Sequence, residues 1–206
     1  RLGLHPLREG QAHPGRARSF GAGFAGKKFN KSASLGTYFM AAQWIDLVWP
    51  ILVLFGIEKV EIDPGISSVT PINFTYYPFT HSLVGVLVWA ILFGTIYYFI
   101  KKNYKTSIIL GLLVVSHWFL DLLVHIPDLP IFSGEGLKVG LGLWNSFAAT
   151  LIVEGLVFAL GLYLYLKSTK TKNKTGNYSL LGLLIFLVAI YISNLIGPPP
   201  ESTEAI

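Results

Sequence analysis

His117, Asp121 and His125 recur every four residues within the segment from Ser116 to His125, inside the apolar run from Ile108 to Ile126. On a helix that spacing stacks the three side chains into one polar stripe. Ionisable groups inside a bilayer are costly and face a bundle interior or a water-filled cavity. Imidazole nitrogens beside a carboxylate are also the donor set of a zinc-type centre. The chain has no cysteine. Any metal must therefore be held by nitrogen and oxygen, and no disulfide or thiolate chemistry is available.

Other polar residues interrupt apolar runs in the same way. Asp46 sits mid-run between Ile45 and Leu47, and Glu154 interrupts a later run. Thr80-His81-Ser82 follows Pro78-Phe79 at the start of another. At about 1.5 Å per helical residue, Asp46 and His117 come to similar depths. His81 comes out shallower, unless its helix is broken near Pro78 and enters deeper, as irregular backbone lining a cavity is allowed to do.

The elements that must hold these residues are membrane spans. The chain has 206 residues, of which 52% are hydrophobic and 13% charged. That composition indicates an integral membrane protein. Five stretches are long enough to cross a bilayer: Leu35–Ile57, Pro78–Ile100, Ser107–Ile126, Val139–Leu166 and Leu180–Ile196. The fourth is longer than a span requires and is expected to tilt or to begin outside the hydrocarbon. The fold class expected is all-α, a multi-pass helical bundle of about five spans.

Lys101, Lys102 and Lys105 crowd the second connection, and Lys167, Lys170, Lys172 and Lys174 the fourth. The first connection carries Glu58, Lys59, Glu61 and Asp63, and the third Asp128, Glu135 and Lys138. The positive-inside rule then places the N-terminus in the cytoplasm and the tail bearing Pro198–Pro200, Glu201 and Glu204 outside. The net charge of +5 is a topological signature. Lipid is the expected partner and nucleic acid is not, while self-association of the bundle stays open.

Residues 1–39 differ from the rest. They are rich in Gly, Arg, Ala and Ser, show no helical apolar period and end before the chain's single methionine, Met40. The expectation is a disordered basic extension preceding a transmembrane domain over 40–206, with an origin outside the native protein as one reading.

Each candidate also has a plain structural role. His125, just before Ile126-Pro127, could cap helix carbonyls, and Thr80 could be an ordinary N-cap. Asp46 and Glu154 could be interhelical hydrogen-bonding groups or proton carriers. Glycine pairs such as Gly136/Gly140 and Gly155/Gly161 suit close helix packing.

Tyr77-Pro-Phe-Thr-His-Ser-Leu83 followed by Ser116-His-Trp-Phe-Leu-Asp-Leu122 resembles the Thr-His-Ser-Leu and Ser-His-x-x-x-Asp elements of the YdjM-like inner-membrane metal-dependent hydrolases. The resemblance covers about 40–166. It implies a cytoplasmic (inner) membrane protein of a bacterium or archaeon, with metal ligands falling on Asp46, His81, His117 and Asp121. The family's acidic motif usually holds two aspartates, whereas here Asp46 stands alone. One divalent ion, zinc or manganese, would activate water against a phosphoryl or acyl group of a lipid or lipid-like ester. Asp121 or Glu154 would serve as base and His125 as proton donor near the outer leaflet. Ser82 and Ser116 sit in no nucleophile-elbow pattern. The competing expectations are a metal-free permease or proton relay through Asp46, His117, Asp121 and Glu154, and a structural membrane protein.

Overall fold

The computed structural model describes residues 16–134, 136–171 and 173–196. The readings placed on residues 1–15, Glu135, Lys172 and the tail from 197 onward lie outside the described residues. Eight helices run in chain order: α1 Arg16–Phe29, α2 Leu35–Ala42, α3 Trp44–Leu54, α4 Pro78–His81, α5 Leu83–Lys101, α6 Tyr104–Val124, α7 Phe147–Ser168 and α8 Lys174–Ile196. Two antiparallel strand pairs complete the connections at one end, β1 Lys59–Ile62 with β2 Ile72–Tyr76, and β3 Leu129–Pro130 with β4 Lys138–Val139.

Four helices, α5 to α8, are long and apolar enough to cross a membrane, and α2 with α3 makes a fifth candidate bent by 52°. The multi-pass all-α expectation holds. The fourth span begins late: β4 and a 3-10 turn at Leu143–Asn145 occupy the start of the predicted run, and Ser146 caps α7 by accepting from the Ala149 amide. Side-chain caps fix the starts of α2, α5 and α6 as well. Ser34 accepts from Thr37 N, Ser82 from Gly85 N and Asn103 from Thr106 N. Each satisfies an amide that helix geometry leaves without a partner.

The expectation of disorder before Met40 fails for the described part of that segment. Residues 16–29 form α1, which packs along α7 and against α2 and α6. Its lack of an apolar period reflects how it is buried. A Cβ on Gly21 would stand 2.6 Å from the Val157 carbonyl oxygen, and one on Gly161 would run into the Gly21 backbone. Small residues let the two backbones touch, which is how helices gain contact where lipid offers no hydrophobic drive. Phe24 fills the remaining space, edge-on to Phe39 and Phe158. Gly140 likewise lies against the Ile126 carbonyl, whereas Gly136 and Gly155 have open space at the Cβ position.

Candidate metal centre

Two breaks in helical backbone build the site. The first separates α2 from α3 at Gln43, whose dihedrals (φ −105°, ψ 5°) leave the helical range. The Ala42 carbonyl at this break accepts a hydrogen bond from His117 Nδ1 at 2.8 Å. Because a carbonyl only accepts, the proton is on Nδ1, and in the neutral ring Nε2 carries a lone pair. Asp46 follows within the first turn of α3.

The second break lies at Ser82, which is extended (φ −71°, ψ 148°) between α4 and α5. The single turn α4 carries His81 inward, which resolves the depth mismatch expected for an unbroken helix. Glu58 holds this turn: its Oε1 accepts from the amides of Phe79 and Thr80, both at 2.8 Å, and its Oε2 from Thr80 Oγ1 at 2.6 Å. Thr80 has one hydroxyl proton, committed to the carboxylate, so at 2.7 Å it accepts from His81 Nδ1. Thr80 therefore aims His81, and the helix cap falls to Ser82. Trp118 Nε1 donates to the His81 carbonyl at 3.0 Å and ties α4 to α6.

Both imidazoles thus present Nε2 to one point, where two carboxylates meet them. His117 Nε2 lies 3.3 Å from Asp46 Oδ1 and 3.3 Å from Asp121 Oδ2. His81 Nε2 lies 3.7 Å from the same two atoms. Ligands at about 2.0–2.1 Å from a tetrahedral ion stand about 3.3–3.4 Å apart; the two His117 separations match that spacing and the two His81 separations are slightly wider. Donor atoms of Asp46, His81 and His117 all lie within 4.8 Å of one another. His117 Nε2 and Asp121 Oδ2 are buried and make no hydrogen bond. A lone pair facing a carboxylate in a dry interior is unfavourable unless a cation or proton stands between them.

The surrounding charge points the same way. Arg18 of α1 bridges Asp121 Oδ1 at 2.6 Å and Glu154 Oε1 at 2.8 Å, and Tyr191 donates to Glu154 Oε2 at 3.2 Å. With neutral histidines, the three carboxylates Asp46, Asp121 and Glu154 against one guanidinium leave two negative charges. One divalent cation neutralises them, which matters where charge is costly to bury. The residues present fit such an ion.

The structure brings together the four residues expected as ligands, but it moves both expected proton carriers. Glu154 is no free base: both its oxygens are engaged, by Arg18 and Tyr191. His125 is buried rather than on an outer rim. Its Nδ1 pairs with Asp128 Oδ1 at 3.0 Å, and its ring packs 4.2 Å from Trp144 and 6.4 Å from His81. Ser82 and Ser116 donate to the carbonyls of Pro78 and Leu113, leaving neither poised as a nucleophile. Sequence reasoning missed Arg18 and Glu58. The signal for Arg18 was the pair of unbalanced acids in α6 and α7, which demands a cation from somewhere in the chain.

No protein-family model, curated protein or solved structure matches the chain.

Proposed function

We propose that this chain is a membrane-embedded hydrolase that uses one divalent ion, zinc or manganese, held by Asp46, His81, His117 and Asp121. The observation that carries the reading is the convergence of two Nε2 lone pairs and two carboxylate oxygens at ligand–ligand separations of 3.3 and 3.7 Å. An ion bound there supplies Lewis acidity, polarising a phosphoryl or acyl oxygen and acidifying water. Cleavage of an ester or phosphoester is the chemistry such a donor set serves, and the likeness to the YdjM-like hydrolases supports the same reading.

The protein's own groups do the rest. Ala42 and Thr80 hold the two histidines in the tautomer that leaves Nε2 free, as hydrogen-bonded partners of ligating histidines generally do. Arg18 engages one oxygen of Asp121 and turns the other toward the histidines. Asp46 is the member reachable from outside and is placed to take a proton from water. The His125–Asp128 pair keeps a third imidazole oriented nearby, where it can return a proton to a leaving group.

A proton relay along Asp121 and Glu154 is disfavoured by Arg18, which links them and does not deprotonate in proteins. Elemental mass spectrometry on the detergent-purified chain decides between these readings. About one equivalent of zinc or manganese, lost in His117→Ala/Asp121→Ala, is the expected result. Metal-free protein after reloading, or full retention by the double variant, would overturn it. Hydrolysis of nitrophenyl esters and phosphoesters by the loaded protein then tests the reaction.

A further inference from the structure

Among the four converging residues exposure is uneven. The side chain of Asp46 is 18% exposed, whereas those of His81, His117 and Asp121 are 4% exposed or less. Toward the strand-bearing end the site is covered: Tyr77 and Trp49 lie against His81, and Phe74 and Trp144 against His125, all of them buried. Toward α7 it is closed by Arg18, itself buried.

Asp46 is reached through a cleft of about 210 Å³ between α1, α2 and α3, lined by Phe20, Phe39, Met40, Gln43, Asp46 and Leu47. Met40 and Leu47 are exposed on its rim. The cleft opens on the flank of the bent α2–α3 pair, between apolar side chains of α1, α2 and α3. Polar groups stand at its floor, and its sides are hydrocarbon and aromatic. The site also lies at a shallow depth. Asp121 and His117 are three and seven residues from the end of α6 at Val124, so about 5 and 10 Å along the helix axis, against a hydrocarbon core about 30 Å thick.

We infer that this cleft is a lateral port for a bilayer amphiphile with one hydrocarbon chain. The chain lies along Phe20, Phe39, Met40 and Leu47, and the ester or phosphoester head reaches Asp46. Among the described residues, buried Tyr77 and Trp49 cover His81 on the side away from the cleft, which favours entry through the apolar opening. The fate of the head rests on the hydrolase reading above; the port itself does not.

The test uses the full chain in phosphatidylcholine nanodiscs and methyl dodecanoate, an uncharged ester, bearing a diazirine at the chain terminus. After irradiation, adducts are mapped by peptide mass spectrometry. Adducts should concentrate on Phe20, Phe39, Met40 and Leu47, about tenfold above the lipid-facing Ile185 of α8, the ratio that corresponds to ~1.4 kcal/mol of preference. Leu47→Trp, or Met40→Trp on the opposite side of the opening, should remove that enrichment, while Ile185→Trp should leave it. Unlabelled methyl dodecanoate should compete, and methyl acetate should not. Even labelling of all exposed apolar helices, insensitivity to both rim substitutions, or competition by methyl acetate alone would overturn the port. Metal content of the same samples keeps the two readings apart. A labelled cleft without metal refutes the hydrolase and leaves the port, whereas metal without enrichment refutes the port alone.

Discussion

Arg18 Nη2 lies 2.6 Å from Asp121 Oδ1, joining a glycine-rich helix near the start of the chain to the centre of the polar stripe on α6. Through its other nitrogen the same guanidinium holds Glu154 on α7. One residue therefore sets the orientation of a candidate ligand and fastens α1 into the bundle.

Removing it should be costly. Arg18→Met leaves two carboxylates buried without their cation, and breaking a buried pair from one side typically costs about 3–5 kcal/mol. The expected outcome is a clear drop in thermal midpoint in detergent. Arg18→Met/Glu154→Leu should recover part of the loss, because it removes one of the two stranded charges. A double-mutant cycle on the unfolding midpoints checks this, and additive losses would contradict the pairing.

The hydrogen-bonded residues behind the histidines should matter nearly as much as the histidines. Thr80→Val removes the acceptor for His81 Nδ1 and the hydroxyl donor to Glu58 Oε2, while leaving every ligand in place. Substitutions of such partners typically lower metal affinity by about 10–100-fold. Competition with a zinc-binding dye should show a loss in that range for Thr80→Val and complete loss for His81→Ala. An unchanged affinity in Thr80→Val would mean that the threonine does not set the tautomer.

How far the site could be read beforehand follows from what each residue depends on. Asp46 and His117 were placed at matching depth by counting residues along two spans, and they meet at 3.3 Å. Helical rise is local and regular, so it survives the step from sequence to structure. His81 required knowing that the backbone breaks twice, at Tyr77 and at Ser82, and only Pro78 announces that. Arg18 lay hidden because burial by small residues leaves no hydrophobic period. A helix of Gly, Ala and Ser packed backbone to backbone looks like a linker when composition alone is read. The ion pair also spans 103 positions, a separation that no local pattern encodes.

Metal retention should depend on pH in a stated direction. Ligation requires both histidines without a proton on Nε2. Protons compete with the ion for these ligands, so affinity declines as pH falls. Titrating zinc-loaded protein from pH 8 to 5 in the presence of a weak chelator should release the ion progressively. Release that is flat across this window would argue for carboxylate ligation without the imidazoles.

His125, the residue that ends α6, provides a contrast. It lies close enough to serve a leaving group but is not among the four converging residues. His125→Asn should leave metal content intact and lower turnover on a phosphoester by about 10²–10⁴-fold, the usual contribution of a proton-transfer group. If metal is lost as well, the ring is instead a structural wedge between Trp144 and Phe74, and the thermal midpoint should fall with it.

The contact between α1 and α7 makes the last prediction. Gly21 approaches the Val157 carbonyl so closely that any side chain must push the helices apart. Overpacking in a tight contact costs about 1–3 kcal/mol, and here the displacement also draws Arg18 away from Asp121. Gly21→Val should therefore lower both the thermal midpoint and metal affinity, although Gly21 touches no ligand. Gly155→Val, on α7 but with open space around its Cβ, should change neither. Comparing the two variants by thermal scanning and zinc competition separates a packing effect transmitted through Arg18 from a general intolerance of bulk in α1 and α7. Equal losses in both would show that the close approach of Gly21 is not what fastens Arg18 in place.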